Sequence, residues 1–369
     1  MVDDKISNPF AILLVLLGYL VLWYIYKPTI SPYKSISATR ERYGLLLIMI
    51  ICLFSVQDTD YYHYQTALRA ISKGAILHFE DVYYTIGEIV SYNYFLFRFV
   101  VWGSAFALFC WSAKRLKVPL PVVMFFFVTM YLTKFSYARA SLAMSIGFFG
   151  YTFIIKPIRL TLISYILGIS TIIISLYFHK SAVFMIPVYV LSSFKLNKYS
   201  LGIALILFPF GYYFISEFGI SLLMNIDDIE NSTIISAQGY LMRDASNKGI
   251  AVIILHFLER TPYYIIVYLI YKIIRNKNYD MLNYSQRSIC NVVLYVVAFA
   301  SLFLFDYSIN TSVLYYRFLY YSILPLSMIL PILLKLERNS RLFKIAYTMG
   351  FYSVIYSILY SFYNAYLSA

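Results

Sequence analysis

Few side chains in this sequence are equipped for chemistry, and they recur at particular places. Arg139 stands in Tyr137-Ala-Arg139-Ala-Ser-Leu-Ala-Met, His179 and Lys180 in Phe-His179-Lys180-Ser-Ala, and Arg317 in Tyr315-Tyr316-Arg317-Phe-Leu-Tyr-Tyr. Arg98 falls inside an apolar run. Asp60, Glu80 and Glu88 lie among aromatics, in Asp58-Thr-Asp60-Tyr61-Tyr-His-Tyr64 and then His78-Phe-Glu80-Asp-Val-Tyr. Arginine grips phosphate through paired N–H donors and stays charged at any working pH. Tyrosine faces stack on sugar C–H surfaces while the hydroxyls bond sugar hydroxyls. Burial among aromatics raises a carboxyl pKa and readies the group as a base, and a histidine near neutrality is a proton acceptor or a phosphate ligand. Arg98, Arg139 and Arg317, with Arg69, Lys180, Tyr61, Tyr64, Tyr137 and Tyr316 around them, suit a diphosphate joined to a lipid and a sugar. Asp60, Glu80 and His179 are the candidate bases. The Asp58-Thr-Asp60 triplet could also hold a divalent cation, although a lone triplet is a weak signal for one.

Composition says where such a site would sit. The 369 residues are 61% hydrophobic, 20% aromatic and only 13% charged, with a mean hydropathy of +0.72. A soluble domain carries roughly 25% charged residues, so a soluble enzyme, a disordered chain and a secreted disulfide scaffold are all excluded. Cys52, Cys110 and Cys290 lie far apart in apolar runs, without metal-ligand spacing. The net charge of +13 is read as topology and not as nucleic-acid binding, because basic residues collect in cytoplasmic loops.

About 20 apolar residues cross a bilayer core. On that measure the chain reads as an all-α polytopic membrane protein, one transmembrane domain over 1–369. About twelve spans are expected, near 9–27, 43–57, 92–113, 119–135, 137–155, 160–178, 181–194, 200–217, 250–272, 287–305, 315–334 and 344–365. With the amino terminus outside, every inward loop holds at least two basic residues, as at Lys114, Arg115 and Lys117 or Lys156 and Arg159. Both termini are then extracytoplasmic. Of the two long outward segments, 57–91 has apolar residues at helical spacing from Tyr61 to Ile71 and from Val82 to Ile89, which predicts two amphipathic helices on the membrane surface. The other, 217–249, reads as a looser cap. Arg260, beside Glu259 and ahead of Pro262, reads as a structural pair at a helix break.

Several of these stretches together resemble the EpsG family of bacterial polysaccharide polymerases, counterparts of the Wzy polymerases. The resemblance lies in Asp60-Tyr61…Tyr64, Phe79-Glu80…Tyr83, Arg139-Ala-Ser-Leu-Ala, Phe178-His179-Lys180-Ser181-Ala182 and Tyr316-Arg317-Phe-Leu-Tyr-Tyr…Pro325. It departs at Ala140, where a polar residue is expected. The resemblance implies a metal-independent glycosyltransferase in the bacterial cytoplasmic (inner) membrane. Such an enzyme joins oligosaccharide repeat units carried on undecaprenyl diphosphate, for capsule, exopolysaccharide or O-antigen. No cofactor is implied, since diphosphate is already a good leaving group. The implied partners are the undecaprenyl-diphosphate-linked glycan and membrane lipids, with a flippase and a chain-length regulator beside them and no nucleic acid. Two rivals stand: another multi-spanning glycosyltransferase using a lipid-phosphate sugar, and a flippase or transporter of lipid-linked oligosaccharide. Charge gathered at one face, and two halves that are unlike, favour surface chemistry over passage.

Overall fold

The computed structural model describes residues 9–27, 36–54, 60–75, 80–132, 138–156, 161–194, 250–276, 278–302, 318–336 and 341–366. About 90% of the described residues are helical, and none of them lies in a strand. In chain order the helices are α1 (Pro9–Tyr26), α2 (Ala38–Phe54), α3 (Asp60–Ile71), α4 (Asp81–Ile89), α5 (Tyr94–Leu116) and α6 (Leu120–Phe126), the last continued by a π-helical turn, Phe127–Tyr131. Then come α7 (Ala138–Ile155), α8 (Thr161–Phe178), a 3-10 turn (Lys180–Phe184), α9 (Met185–Ser192), α10 (Ile250–Arg275), α11 (Tyr284–Leu302), α12 (Ile323–Leu336) and α13 (Arg341–Tyr366).

The two helices expected in the first long loop are α3 and α4. Tyr64, Ala67, Leu68 and Ile71 form the buried stripe of α3, and Tyr83 and Gly87 that of α4, continued by Val90 at its C-cap. Of the expected spans, 315–334 is interrupted: residues 318–320 are helical, 321–322 form a turn, and α12 starts at Ile323. The span expected over 200–217, the cap over 217–249 and the Glu259 side chain lie outside the described residues. Among the described residues, Tyr94–Leu116 and Thr161–Phe178 are long and apolar enough to cross a membrane, and five further apolar helices are shorter. The count of twelve is therefore not established by helix length.

Helix α8 has the side-chain distribution of a helix in lipid. Its buried residues are Ser164, Gly168, Ile172 and Ser175, one narrow stripe of mostly small side chains. Leu162, Ile166, Ile169, Ile173 and Tyr177 point outward and are each about half exposed or more. In water the large apolar side chains would turn inward; small residues at the interface and large ones outside are the bilayer pattern.

Close packing of α7 on α8 sets the site. A Cβ on Gly150 would stand 2.8 Å from the Gly168 carbonyl oxygen, and one on Gly168 would stand 2.9 Å from that of Gly150. Only glycine at both positions lets the two backbones approach this closely. Helices α5 and α7 are laced at their far ends, where Lys156 Nζ donates to the Arg115 carbonyl at 2.8 Å and Arg115 donates to that of Lys156. At the start of α5, Asn93 Oδ1 accepts from the Leu96 N–H at 3.1 Å, the usual N-cap bond. The turn before it is tight: Ser91 and Tyr92 both have positive φ, 51° and 55°. The Tyr92 N–H returns to the Gly87 carbonyl at 2.7 Å, closing the end of α4 in a Schellman-type turn.

Candidate functional site

Three separate stretches meet where α4, α7 and α8 come together. Glu80 is the N-cap residue of α4, Arg139 lies in the first turn of α7, and His179 is the extended residue (φ −164°, ψ 118°) between α8 and the 3-10 turn. Arg139 Nη1 donates to Glu80 Oε2 at 2.8 Å, and His179 Nδ1 lies 3.1 Å from Glu80 Oε1. The side chains are 21% (Arg139), 18% (His179) and 11% (Glu80) exposed, so the cluster is largely but not fully shielded. Tyr64, buried on α3, completes it: its hydroxyl accepts from Arg139 Nε at 2.8 Å, and the guanidinium carbon stands 5.4 Å from the ring centroid.

The electrostatics follow from this crowding. Burial alone pushes the Glu80 carboxyl upward, but the hydrogen bond from His179 and the charge of Arg139 outweigh it, and its pKa falls to about 2. Glu80 is therefore a fixed anion at any working pH. An ionised carboxylate only accepts hydrogen bonds, so Nδ1 of His179 carries the proton in that contact. In the neutral imidazole Nε2 is then the proton-accepting atom. Sequence alone left Asp60, Glu80 and His179 side by side as candidate bases, because it shows the aromatic surroundings of a carboxyl but not its compensating partners. The geometry makes Glu80 the group that orients the imidazole.

Two tyrosines that the sequence reading did not place in a site hold the hairpin around His179. Tyr83, 1% exposed, donates from its hydroxyl to the Phe178 carbonyl at 2.9 Å. Burial, followed by the nearby Glu80 and Tyr64 charges, holds that phenol well above its usual range, so it serves as a hydrogen-bond donor and not as an acid. Ser181 Oγ and Tyr321 OH are 2.7 Å apart, tying the 3-10 turn to the turn before α12. The available signals were the place of Tyr83 on the apolar stripe one turn after Glu80, in the Phe79-Glu80…Tyr83 stretch, and that of Tyr321 at the end of Tyr316-Arg317-Phe-Leu-Tyr-Tyr.

The remaining predicted residues are distributed differently. Arg98 is 2% exposed; it donates to the Cys52 carbonyl at 2.6 Å and to the Tyr94 hydroxyl at 3.3 Å, with its guanidinium 4.1 Å from the Trp102 ring centroid. Its neighbours belong to α2 and α5, so the structure gives it a set of partners different from those of Arg139. Arg69 is exposed near the end of α3, and Lys180 is exposed at the start of the 3-10 turn. Asp60 and Tyr61 open α3, with side chains outside the described residues, and Tyr137, Tyr316 and Arg317 lie outside them altogether.

The model of the EpsG family matches residues 43–368, nearly the whole chain and every member of the cluster. This chain belongs to the EpsG family. No curated protein and no solved structure matches it. The EpsG family is associated with polysaccharide biosynthesis of the glycosyltransferase type. Family and apolar helices together make this EpsG-family chain a membrane protein.

Proposed function

We propose that this EpsG-family protein is a polysaccharide polymerase that joins oligosaccharide repeat units carried on undecaprenyl diphosphate, at the extracytoplasmic face of the bacterial cytoplasmic membrane. The observation that carries the reading is the Glu80–Arg139–His179 cluster, a fixed anion, a guanidinium and an oriented imidazole within hydrogen-bonding distance of one another. In this reading the chain is polytopic with both termini outside, and α3 and α4 lie on the outer membrane surface.

The reaction is a displacement at the anomeric carbon of the donor. A hydroxyl at the free end of the incoming lipid-linked unit attacks that carbon, and the bond to the diphosphate oxygen breaks. Lipid diphosphate departs with the bonding electron pair, while the hydroxyl proton passes to His179 Nε2. Glu80 stabilises the imidazolium so formed, as a carboxylate does behind any catalytic histidine. Arg139 faces the charge that develops on the leaving diphosphate. Arg317 is proposed as a second cation for that diphosphate, and Lys180, beside His179, as a third. Tyr61, Tyr137 and Tyr316 are the proposed sugar-stacking residues, Tyr64 acts on the substrate through the Arg139 it holds, and Asp60 is the alternative base. Exposed Arg69 would meet lipid phosphates or the outer part of the glycan.

The deciding experiment supplies purified protein in nanodiscs with undecaprenyl-diphosphate-linked repeat units and resolves the products by length. A ladder of repeat units is expected. A single sugar addition would make the protein a transferase of the lipid-monophosphate type, and unchanged substrate moved across the bilayer would make it a flippase.

A further inference from the structure

We infer that the Tyr83 hydroxyl is a positioning group that sets the geometry of His179 and Arg139 against Glu80. The inference rests on the reading of that cluster as the reacting centre. Tyr83 reaches the main chain of Glu80, of Arg139 and of Phe178, the neighbour of His179. Its own N–H donates to the Glu80 carbonyl at 2.9 Å. Its hydroxyl donates to the carbonyl of Phe178, the residue before His179, at 2.9 Å, and stands 3.4 Å from the carbonyl oxygen of Arg139. One phenol thus ties the start of α4, the end of α8 and the start of α7.

Those anchors matter because His179 has no helix of its own. It is an extended residue following the last turn of α8, where carbonyls lack intrahelical donors. Phe178 supplies one such carbonyl, and the Tyr83 proton satisfies it. On the other side, the Ser181–Tyr321 bond holds the chain two residues later, so His179 is bracketed. The ring of Tyr83 is wedged by Phe97, with centroids 6.0 Å apart, and by Phe178 edge-on at 6.3 Å. Phenylalanine would fill the same space and make the same ring contacts. What it lacks is the proton for Phe178, and at 1% exposure water has little access to replace it.

The test compares full-length Y83F and F97L proteins with wild type in nanodiscs, using the repeat-unit assay and the nitrogen resonances of 15N-labelled histidine, with His179 assigned from H179N. Y83F is expected to keep its KM for the lipid-linked unit within about twofold while kcat falls about 10- to 100-fold, the effect of displacing a reacting group by about 1 Å. Its His179 Nδ1 resonance should leave the hydrogen-bonded position. F97L loosens the same ring but keeps the hydroxyl, and should hold the wild-type resonance. Wild-type kcat and resonances in Y83F overturn the inference, as do equal changes in Y83F and F97L. So does a Y83F protein that does not fold, since the hydroxyl would then belong to the fold itself. If the wild-type protein makes no polymer, the polymerase reading fails on its own, and the His179 resonance alone decides the role of Tyr83.

Discussion

Glu80 Oε2 accepts from Arg139 Nη1 at 2.8 Å across 59 positions of sequence, and this pairing joins the hydrogen bond from His179 in keeping the carboxyl ionised. A lone carboxyl in that partly buried place would be pushed toward the neutral acid. Paired, it stays charged and orients the imidazole beside it, which is the proposed base.

Acid stability should reveal the pairing. The Glu80 pKa is depressed in the folded protein from 4.5 to about 2. Its contribution is therefore complete above about pH 4.5 and is lost as pH falls through about 2, and it is on the order of 3 kcal/mol at neutrality. The Tm of wild type should exceed that of E80Q most at neutral pH, and the gap should close across that acid window. A gap independent of pH would mean that Glu80 is not held ionised.

Removing the proposed base should leave binding largely intact. H179N is expected to lower kcat by about 10²–10⁴-fold with little change in KM, the usual worth of a positioned general base. Wild-type kcat in H179N would assign the base to another group, Asp60 first.

Arg139 should prove sensitive to shape as well as to charge. R139A is expected to cost about 10²–10³-fold in polymer formation, as does loss of one preorganised donor at a developing anion. R139K keeps the charge, but a single ammonium cannot reproduce the fork that serves Tyr64 and Glu80 together. It should recover only part of the rate. R317A should likewise abolish long products. Normal chain length from both alanine variants would remove these arginines from the reaction.

Arg98 should behave as a structural residue. It holds a carbonyl in the last turn of α2, where the negative end of the helix dipole favours a cation, and it stacks on Trp102. R98M should lose about 2–3 kcal/mol of stability, the worth of a charge-assisted hydrogen bond in a buried place. The protein that remains folded should keep the wild-type KM. A raised KM at unchanged Tm would instead make Arg98 a substrate ligand.

The crossing of α7 and α8 offers a test remote from the chemistry. G150A puts a methyl group against the Gly168 backbone and Thr171, neither of which is a flexible chain end. It should cost about 1–3 kcal/mol through overpacking and also lower kcat, because the two helices carry Arg139 and lead into His179. Circular dichroism melts and the repeat-unit assay read the two effects separately, and wild-type values for both would show that the crossing can relax.

What the sequence determined by itself is local. Long apolar runs require helices wherever backbone N–H and C=O groups must be satisfied without water. The three- and four-residue spacing in 61–71 and 82–89 was enough to place α3 and α4 within a residue of their starts. Scarcity of charge also made Arg139, His179 and Glu80 stand out before any fold was known. Which of them meet was decided by tertiary structure. Several carboxyls in the first loop were equally plausible partners for Arg139. Glu80 was selected because α4 begins there and packs beside α7 and α8, while Glu88, two turns later, points to solvent. Arg98 resembles Arg139 in type and setting, yet it turned to the Cys52 carbonyl because α2 ends beside it. The Glu80–His179 contact spans 99 positions, and no periodicity in the chain encodes such a meeting. It depends on two glycines that let α7 and α8 touch backbone to backbone, and on where that crossing leaves the helix ends.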